Sequence, residues 1–327
     1  MKAIVVHRGE GEVPSLVWEE VADVDYGPEE VLVGVRATAV NRADLSQARG
    51  NYPPPPGASE ILGLEMAGEI SAVGAEVKGW QVGDRVCALL AGGGYAEQVA
   101  VHQGMLLRLP DSWSFAQGAA IPEVWYTAFV NLFLEGELNE GETVLIHAGG
   151  SGVGTAAIQL AREAGARIYI TAGAERKLAR GRELGAELAI NYKEEDFAKV
   201  IRKETGGGVD VILDPVGANY FERHLLLLNP WGRLVQIGLL SGREAEMNLG
   251  LLLGKSLRII GSRLRPRPLA EKIEIRRQFE ERFWPLLVEG ILQPVIDTVF
   301  PLPDAGEAHE YVRQDRNIGK VILQLDE

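Results

Sequence analysis

The chain has 327 residues, enough for one large or two ordinary domains with an ample core. A hydrophobic content of 46% and a charged content of 24% are typical of a soluble globular protein, and no apolar run is long enough to span a bilayer. The formal net charge of −13 argues against general binding to polyanions. The single cysteine, Cys87, excludes a disulfide framework, and a start without a signal-peptide core favours a cytoplasmic setting.

The first 122 residues predict a lobe of short β-strands. Gly, Pro and Asp turns separate β-rich runs at residues 2–6, 30–37, 67–73 and 85–90. We therefore expect residues 1–122 to form an all-β lobe.

Residues 123–264 alternate between strand and helix patterns. Strands are predicted at 143–146, 166–172, 188–191, 209–216, 233–237 and 257–261, and helices after the first of these and at 175–184, 193–204 and around 220–227. Strands joined by helical crossovers predict an α/β domain with a doubly wound, six-stranded parallel sheet.

The tail, residues 265–327, predicts an amphipathic helix at about 268–289 and a final strand at 320–325. Because the parallel sheet needs no further strand, we expect the tail to return to the first lobe.

A glycine-rich turn follows the strand at 143–146. The turn reads Ala148-Gly149-Gly150-Ser151-Gly152-Val153-Gly154, and apolar residues at helical spacing follow it. Strand, tight glycine turn and helix start form the geometry that binds a dinucleotide pyrophosphate. The alternative is an ordinary surface turn, but the flanking strand and helix favour cofactor binding.

The tip of the second parallel strand favours NADPH over NADH. An NAD site usually carries an acidic residue there, about twenty residues after the glycine turn. Here Gly173 leaves room for a phosphate, and Arg176 or Lys177 can neutralise it. Glu175 could instead reach a ribose if the strand ends later, and Tyr192 could contact the adenosine end or only pack.

The sequence indicates no metal site. One cysteine cannot supply a four-cysteine site, and the five histidines are scattered without ligand spacing: His7, His102, His147, His224 and His309. His147, at the tip of the glycine-turn strand, is better explained as a residue that supports the backbone.

Several motifs together resemble the medium-chain dehydrogenase/reductase superfamily, in particular its zinc-free quinone oxidoreductase (zeta-crystallin-like) branch. Gly63-Leu64-Glu65-Met66-Ala67-Gly68, with Gly74 and Val77, matches the superfamily pattern G-x-E-x-x-G-x5-G-x-x-V. The zinc enzymes have Cys at the position of Asn41 and His at that of Leu64. Ser151 departs from the usual glycine and, with Asn41-Arg42-Ala43-Asp44-Leu45, resembles the stress-inducible mammalian quinone oxidoreductase subgroup.

The resemblance covers essentially the whole chain and implies its organisation. It implies a GroES-like substrate and catalytic lobe, a Rossmann domain that binds NADPH, a cleft between them for cofactor and acceptor, and a homodimer joined through the sixth Rossmann strand. The cofactor contacts that it implies fall on Asn41, Asp44, Thr127, Ser151, Gly152, Val153, Gly173, Lys177, Tyr192, Gly238, Ser241, Ser262, Arg263 and Asn317.

Quinone reduction builds negative charge on oxygen, so the protein must offer hydrogen-bond donors to it. Without zinc, the candidates are Asn41, Asp44 and Tyr52. Each has a structural alternative: Asn41 could only cap the helix around Asp44, Asp44 could only hold its first turn, and Tyr52 could only pack under the proline run Pro53-Pro54-Pro55-Pro56.

The sequence thus predicts an NADPH-dependent, metal-free quinone reductase acting on a small-molecule electrophile. Two alternatives remain open, namely a reductase of activated double bonds in enones or enoyl thioesters, and a protein that binds NADPH without turnover. A basic run at Arg258, Arg263, Arg265 and Arg267 is either a solvated segment between the lobes or part of phosphate binding. It lacks the interleaved aromatic residues of a nucleic-acid site.

Overall fold

The structure is a computed structural model that describes residues 1–9 and 13–325. The chain divides into two compact units. Unit 1 comprises Met1–Tyr126 and Arg265–Glu327, and unit 2 comprises Thr127–Leu264. Within the described ranges, no helix combines the length and the apolar character needed to cross a membrane.

The elements follow in chain order. The strands are β1 Lys2–His7, β2 Ser15–Glu20, β3 Glu30–Val40, β4 Glu65–Val73, β5 Arg85–Leu89, β6 Gln98–His102, β7 Leu106–Arg108, β8 Thr143–Ile146, β9 Arg167–Ala172, β10 Leu188–Asn191, β11 Val209–Asp214, β12 Leu228–Gln236, β13 Arg258–Gly261, β14 Ile296–Pro301 and β15 Lys320–Gln324. The α-helices are α1 Arg42–Ala48, α2 Phe115–Ala119, α3 Pro122–Phe129, α4 Gly152–Glu163, α5 Glu175–Leu184, α6 Phe197–Thr205, α7 Phe221–Leu227, α8 Leu249–Gly254, α9 Leu269–Arg282, α10 Trp284–Val288 and α11 Ala305–Arg313.

Unit 1 is built on a seven-stranded sheet with β3 at its centre. The order is β14-β15-β3-β4-β5-β7, and β6 also pairs with β3. In the first half of β3, Val31, Val33 and Val35 are buried and alternate with half-buried residues, as expected of a strand with one face on the core. β15 runs antiparallel to β3, with Val321 opposite Val40, so residues from the chain's last segment complete this sheet.

Unit 2 confirms the predicted doubly wound parallel sheet. Its six strands are ordered β10-β9-β8-β11-β12-β13, and each neighbouring pair is parallel. All four residues of β8 are buried, as its apolar run predicts for a strand covered on both faces. Leu145, Phe197, Ile212 and Leu225 belong to one hydrophobic cluster that joins the strands to helices α6 and α7.

A buried arginine fixes the start of β8. The Arg233 guanidinium on β12 donates to both carboxylate oxygens of Glu142 at 2.8 and 2.7 Å, and to the carbonyls of Gly136 at 2.7 Å and Glu137 at 2.8 Å. Because the charge is paired bidentately and its other donors are satisfied, it can be buried here. The segment that enters β8 is therefore anchored to β12, two strands away in the sheet.

The first lobe is not all-β as predicted, because residues 1–122 include helices α1 and α2. Further differences lie in the later part of the chain. The helix predicted at 193–204 begins at Phe197, because the Asp196 carboxylate caps it by accepting from the N–H groups of Ala198 and Lys199. The helix predicted at 268–289 breaks at Phe283, ahead of Pro285, because proline fits only the first turn of a new helix. Strand β14 and helix α11 lie in a tail segment for which the sequence predicted neither.

Candidate active site

The glycine turn of unit 2 is tightly packed. Ala148 adopts a positive φ of 52°, and the Ser151 hydroxyl caps α4 by accepting from the N–H of Gly154 at 3.0 Å. A Cβ added at Gly154 would lie 2.4 Å from the Ala148 carbonyl, and one at Gly149 would lie 2.9 Å from Cβ of Ile170. Only glycine fits both positions, and the N-terminus of α4 lies at the turn, as in helices whose first N–H groups can bind an anion.

Lys177 lies beside this turn, and Tyr192 lies beside Gly173. A Cβ added at Gly150 would be 2.8 Å from Cβ of Lys177, so the lysine stem packs along the turn. A Cβ added at Gly173 would be 2.8 Å from the Tyr192 hydroxyl. Glu175, the residue that could have favoured NADH, pairs instead with Arg182 at 2.6 Å. Lys193 also lies beside Gly173, because its Cε would be 2.9 Å from the same added Cβ, whereas Lys177 lies beside Gly150.

The loops after β11 and β12 pack together at the same edge of the sheet. A Cβ added at Gly238 would lie 2.8 Å from the Pro215 carbonyl, and the Ser241 hydroxyl donates to the Val216 carbonyl at 2.9 Å. Because all six strands are parallel, these loops, the glycine turn, and Ser262 and Arg263 after β13 share the carboxyl edge where α/β sheets bind ligands.

Two predicted contact residues lie elsewhere in the chain. Thr127 is on α3, where its carbonyl accepts from the Asn131 side chain at 2.7 Å. Asn317 belongs to unit 1 and donates to the Gly319 carbonyl at 2.7 Å, just before β15. These contacts show each residue in a local structural role.

A buried histidine pair lies beneath the glycine turn. His147 Nδ1 is 2.8 Å from Oγ1 of Thr171, and its Nε2 is 2.8 Å from Nε2 of His224. His224 Nδ1 lies 3.7 Å from the Asp214 carboxylate, itself at the end of β11. Burial lowers the pKa of His147 well below its usual value and that of His224 to about 3, so both rings are neutral and one donates to the other.

The expectation that the histidines are scattered is thus wrong for His147 and His224. They are far apart in sequence, so no local spacing could have signalled the pair, and folding of α7 onto the sheet joins them. With Asp214 they form, within the part of the chain that the structure describes, the one group of three side chains close enough to share a metal ion. Their contacts connect the turn after β8 to the loop after β11.

Asp44 in unit 1 holds the first turn of α1. Its buried carboxylate accepts from the N–H of Asn41 at 2.8 Å and of Gly63 at 3.1 Å, and the Tyr95 hydroxyl lies 3.4 Å away. Burial raises the pKa of Asp44 to about 6, although the backbone hydrogen bonds and the Lys320 charge oppose the rise. Asp44 thus links α1 to the loop before β4.

Asn41 belongs to a buried network with Glu65 and Lys320. The Lys320 ammonium lies 2.7 Å from both Asn41 Oδ1 and Glu65 Oε1, and the Asn41 amide donates to Glu65 Oε1 at 2.8 Å. The other Glu65 oxygen accepts from the N–H of Glu123 at 2.8 Å. Sequence reasoning quoted Glu65 only as part of a family pattern and missed Lys320, for which no local signal exists.

These residues do not fit a zinc ion. Zinc prefers sulfur, imidazole and carboxylate ligands, and neither the amide of Asn41 nor the aliphatic Leu64 offers one. The carboxylate of Glu65 is already paired with the ammonium of Lys320, whose charge would repel a second cation.

Tyr52 lies in the loop between α1 and β4 and is half-buried. The guanidinium of Arg265 lies 5.3 Å from its ring centroid. Arg265 is only 6% exposed, so the interpretation of the basic run as a solvated segment is wrong for this residue.

The chain matches two family models and several known proteins. The model described as alcohol dehydrogenase GroES-like domain covers residues 27–111, and that described as zinc-binding dehydrogenase covers residues 152–281. The crystal structure of Escherichia coli quinone oxidoreductase complexed with NADPH aligns with a TM-score of 0.86 at 30% identity, over 99% of this chain and 98% of that one. The CurK enoyl reductase aligns with a TM-score of 0.82 at 29% identity, over 95% of both chains.

A curated relative is far longer than this chain. The polyketide synthase component PikAII of Streptomyces venezuelae is 34% identical over 94% of this chain, which spans only 8% of the synthase. The chain belongs to the medium-chain dehydrogenase/reductase superfamily. Within it, unit 1 carries the GroES-like fold and unit 2 the Rossmann fold, and quinone oxidoreductases are among its structural neighbours.

The raised pKa of Asp44 predicts a specific pH dependence of stability. Between its unfolded value of 3.8 and its folded value of about 6, the folded chain binds a proton that the unfolded chain does not. The stability of the wild type relative to Asp44→Asn should therefore rise as pH falls through this window, by roughly 3 kcal/mol in total, the order that about two pKa units represent. Denaturant unfolding of both proteins across the window measures the difference. A constant difference would show that Asp44 titrates normally.

Proposed function

We propose that the chain is an NADPH-dependent quinone reductase that works without a metal ion. The observation that carries this proposal is the glycine turn with Lys177 packed along it and Gly173 at the neighbouring strand tip. The likeness to an NADPH-bound quinone oxidoreductase structure supports it.

In this proposal the carboxyl edge of unit 2 binds the dinucleotide. The N-terminus of α4, with Ser151, Gly152 and Val153, faces the pyrophosphate, because its N–H groups and dipole favour negative charge. Lys177 neutralises the 2′-phosphate, for which Gly173 leaves room, and Tyr192 contacts the adenosine end. When bound, NADPH supplies the hydride.

Unit 1 supplies the acceptor-binding groups. The Tyr52 phenol donates a hydrogen bond to the quinone oxygen on which negative charge develops, and this stabilises the transition state. Asn41 and Asp44 are held by buried partners, so we assign them to ordering α1 and the cofactor ribose rather than to proton transfer.

A second candidate function is the reduction of activated double bonds. The CurK enoyl reductase and the polyketide synthase are about as similar to the chain as the quinone oxidoreductase is. Reduction of an enone or enoyl thioester also builds charge on a carbonyl oxygen, so the same donor would serve. A third candidate, NADPH binding without turnover, rests on the sequence resemblance alone.

A substrate panel tests the proposed function. The protein should oxidise NADPH faster with ortho- and para-quinones than with enones or an enoyl thioester, and Tyr52→Phe should lower kcat at least about tenfold because it removes the donor. Tyr26→Phe, which alters another tyrosine of unit 1 that is 41% exposed, is the matched control. Faster turnover of the enoyl thioester would favour the second function, and tight NADPH binding without turnover the third. Spin resonance during turnover distinguishes one-electron from two-electron reduction.

Lys177→Ala tests the cofactor preference. The variant should bind NADPH at least about tenfold more weakly, because a charge-assisted contact to phosphate is lost, and should bind NADH almost unchanged. Calorimetric titration with each dinucleotide measures both affinities. Arg180→Ala, further along α5 and paired with Glu183, controls for loss of surface charge. Equal loss of affinity for NADPH and NADH would show that Lys177 does not contact the 2′-phosphate.

We also propose a homodimer joined through β13. This strand forms an edge of the unit 2 sheet, so its outer backbone groups can pair with a second copy. Several large apolar side chains of unit 2 are exposed, among them Leu240 by 61%, Leu249 by 67% and Leu253 by 82%. Exposed apolar groups of this size commonly mark an interface.

Charge introduced at these leucines should split the dimer. The double variant Leu249→Glu, Leu253→Glu should sediment as a monomer where the wild type sediments as a dimer, because burying two carboxylates at an interface is unfavourable. Val82→Glu, at a position of unit 1 that is 60% exposed, should leave the mass unchanged. A double variant that sediments like the wild type would place any interface elsewhere.

A further inference from the structure

The loop that carries Tyr52 is held at one end by Gln47 and at the other by Arg265, which also contacts Gln47. We call residues 51–60 the Tyr52 loop. The buried Gln47 side chain, on α1, donates to the Glu60 carbonyl at 3.0 Å at one end of the loop. Its Oε1 accepts from Arg265 at 2.8 Å, and Arg265 also contacts the other end.

The Arg265 guanidinium contacts three separate parts of unit 1. Besides Gln47, its Nε donates to the Ala91 carbonyl at 2.8 Å and its Nη1 lies 3.5 Å from the Tyr52 carbonyl. The same planar group lies over the Tyr52 ring, 5.3 Å from its centroid. A planar guanidinium directs its N–H groups to acceptors that lie in different directions while its flat face lies on an aromatic ring, a geometry that a compact ammonium does not reproduce.

A second loop packs directly on the Tyr52 loop. A Cβ added at Gly92 would lie 2.5 Å from the Ser59 carbonyl, and one at Gly93 would lie 3.5 Å from Ser59 Cβ. Since Arg265 binds the Ala91 carbonyl at the start of this second loop, it joins both loops and α1 through one side chain.

Burying the charged guanidinium of Arg265 costs free energy unless its donors find partners. Burial lowers the pKa of its guanidinium, and the nearby carboxylate of Asp44 opposes this effect. Its hydrogen-bond partners are neutral carbonyl and amide oxygens. They fix the orientation of the guanidinium but do not neutralise its charge.

We propose that Arg265 is a positioning residue that holds the Tyr52 phenol in the orientation in which it donates to the acceptor oxygen. This inference rests on the proposed function of Tyr52. Arg265 does not itself touch the acceptor: it fixes the Tyr52 backbone through the carbonyl and the ring through its face. Loss of either contact lets the phenol move, and displacements of about 1 Å are enough to slow a reaction strongly.

A double-mutant cycle tests the inference. Arg265→Met in the wild-type background should lower quinone kcat about tenfold, because the donor is misplaced. In the Tyr52→Phe background there is no donor to misplace, so the same substitution should lower kcat less than about twofold. Affinity for NADPH should be unchanged in all four proteins.

Two further variants make the result specific. Arg265→Lys keeps the charge but not the fork, so it should lose most of the activity that Arg265→Met loses. Arg267→Met, which removes a cation paired with Glu271 two positions along, should leave kcat unchanged. Thermal unfolding of each protein sets an assay temperature below its midpoint, and Arg265→Lys replaces Arg265→Met in the cycle if the latter does not fold.

The outcomes separate this inference from the proposed function. If Tyr52→Phe retains full kcat, the donor role fails and the inference falls with it. Tyr52→Phe could instead lower kcat as expected while Arg265→Met lowers kcat equally in both backgrounds. Arg265 would then act independently of Tyr52, and only the inference would be overturned. Full activity of Arg265→Lys would also overturn it, because charge alone would then suffice.

Discussion

The close approach of α4 to the strand before it is the constraint on which unit 2 depends. A Cβ at Gly154 would clash with the Ala148 carbonyl oxygen, 2.4 Å away. The first turn of the helix therefore packs directly against the turn that leads to it. This geometry places the positive end of a helix dipole at the carboxyl edge of a parallel sheet. Beneath it, the His147–His224 contact ties the turn to α7, and Arg233 anchors the segment that enters β8. The N-terminal end of the helix is thereby fixed from two directions.

Unit 1 depends on a different interaction, the buried contact of Lys320 with Glu65 and Asn41. Burying two charges is costly, and it succeeds here because nearly every donor and acceptor has a partner: the ammonium has three oxygens within 3.3 Å, and both Glu65 oxygens accept hydrogen bonds. The network joins β15 from the end of the chain to β3, β4 and α3. It also determines the orientation of the Asn41 amide, whose oxygen faces the cation.

Local signals were sufficient for unit 2 and insufficient for much of unit 1. The apolar run 143–146, the glycine turn and the helix 175–184 are each encoded by neighbouring residues, so the parallel sheet and its glycine turn followed from periodicity and from the rules for chain connections. The Lys320 contact joins residues 255 positions apart in sequence, and the Arg265 contact with Gln47 joins residues 218 apart. Neither pairing leaves a periodic pattern or a short motif in the sequence. The burial of Arg265, which the sequence left open as a solvated residue, is therefore seen only in the folded chain.

The proposed donor chemistry is common to both acceptor classes. In a quinone and in an enone or enoyl thioester, the carbon that receives hydride is conjugated to a carbonyl, so the charge develops on an oxygen in each case. A phenol held at that oxygen stabilises either transition state. In this proposal, discrimination between the classes comes from the space around the donor, which the Tyr52 loop and the second loop, beginning at Ala91, border together. Because Arg265 joins both loops, one side chain sets the position of the donor and the shape of its surroundings, and a change there would alter rate and acceptor preference together.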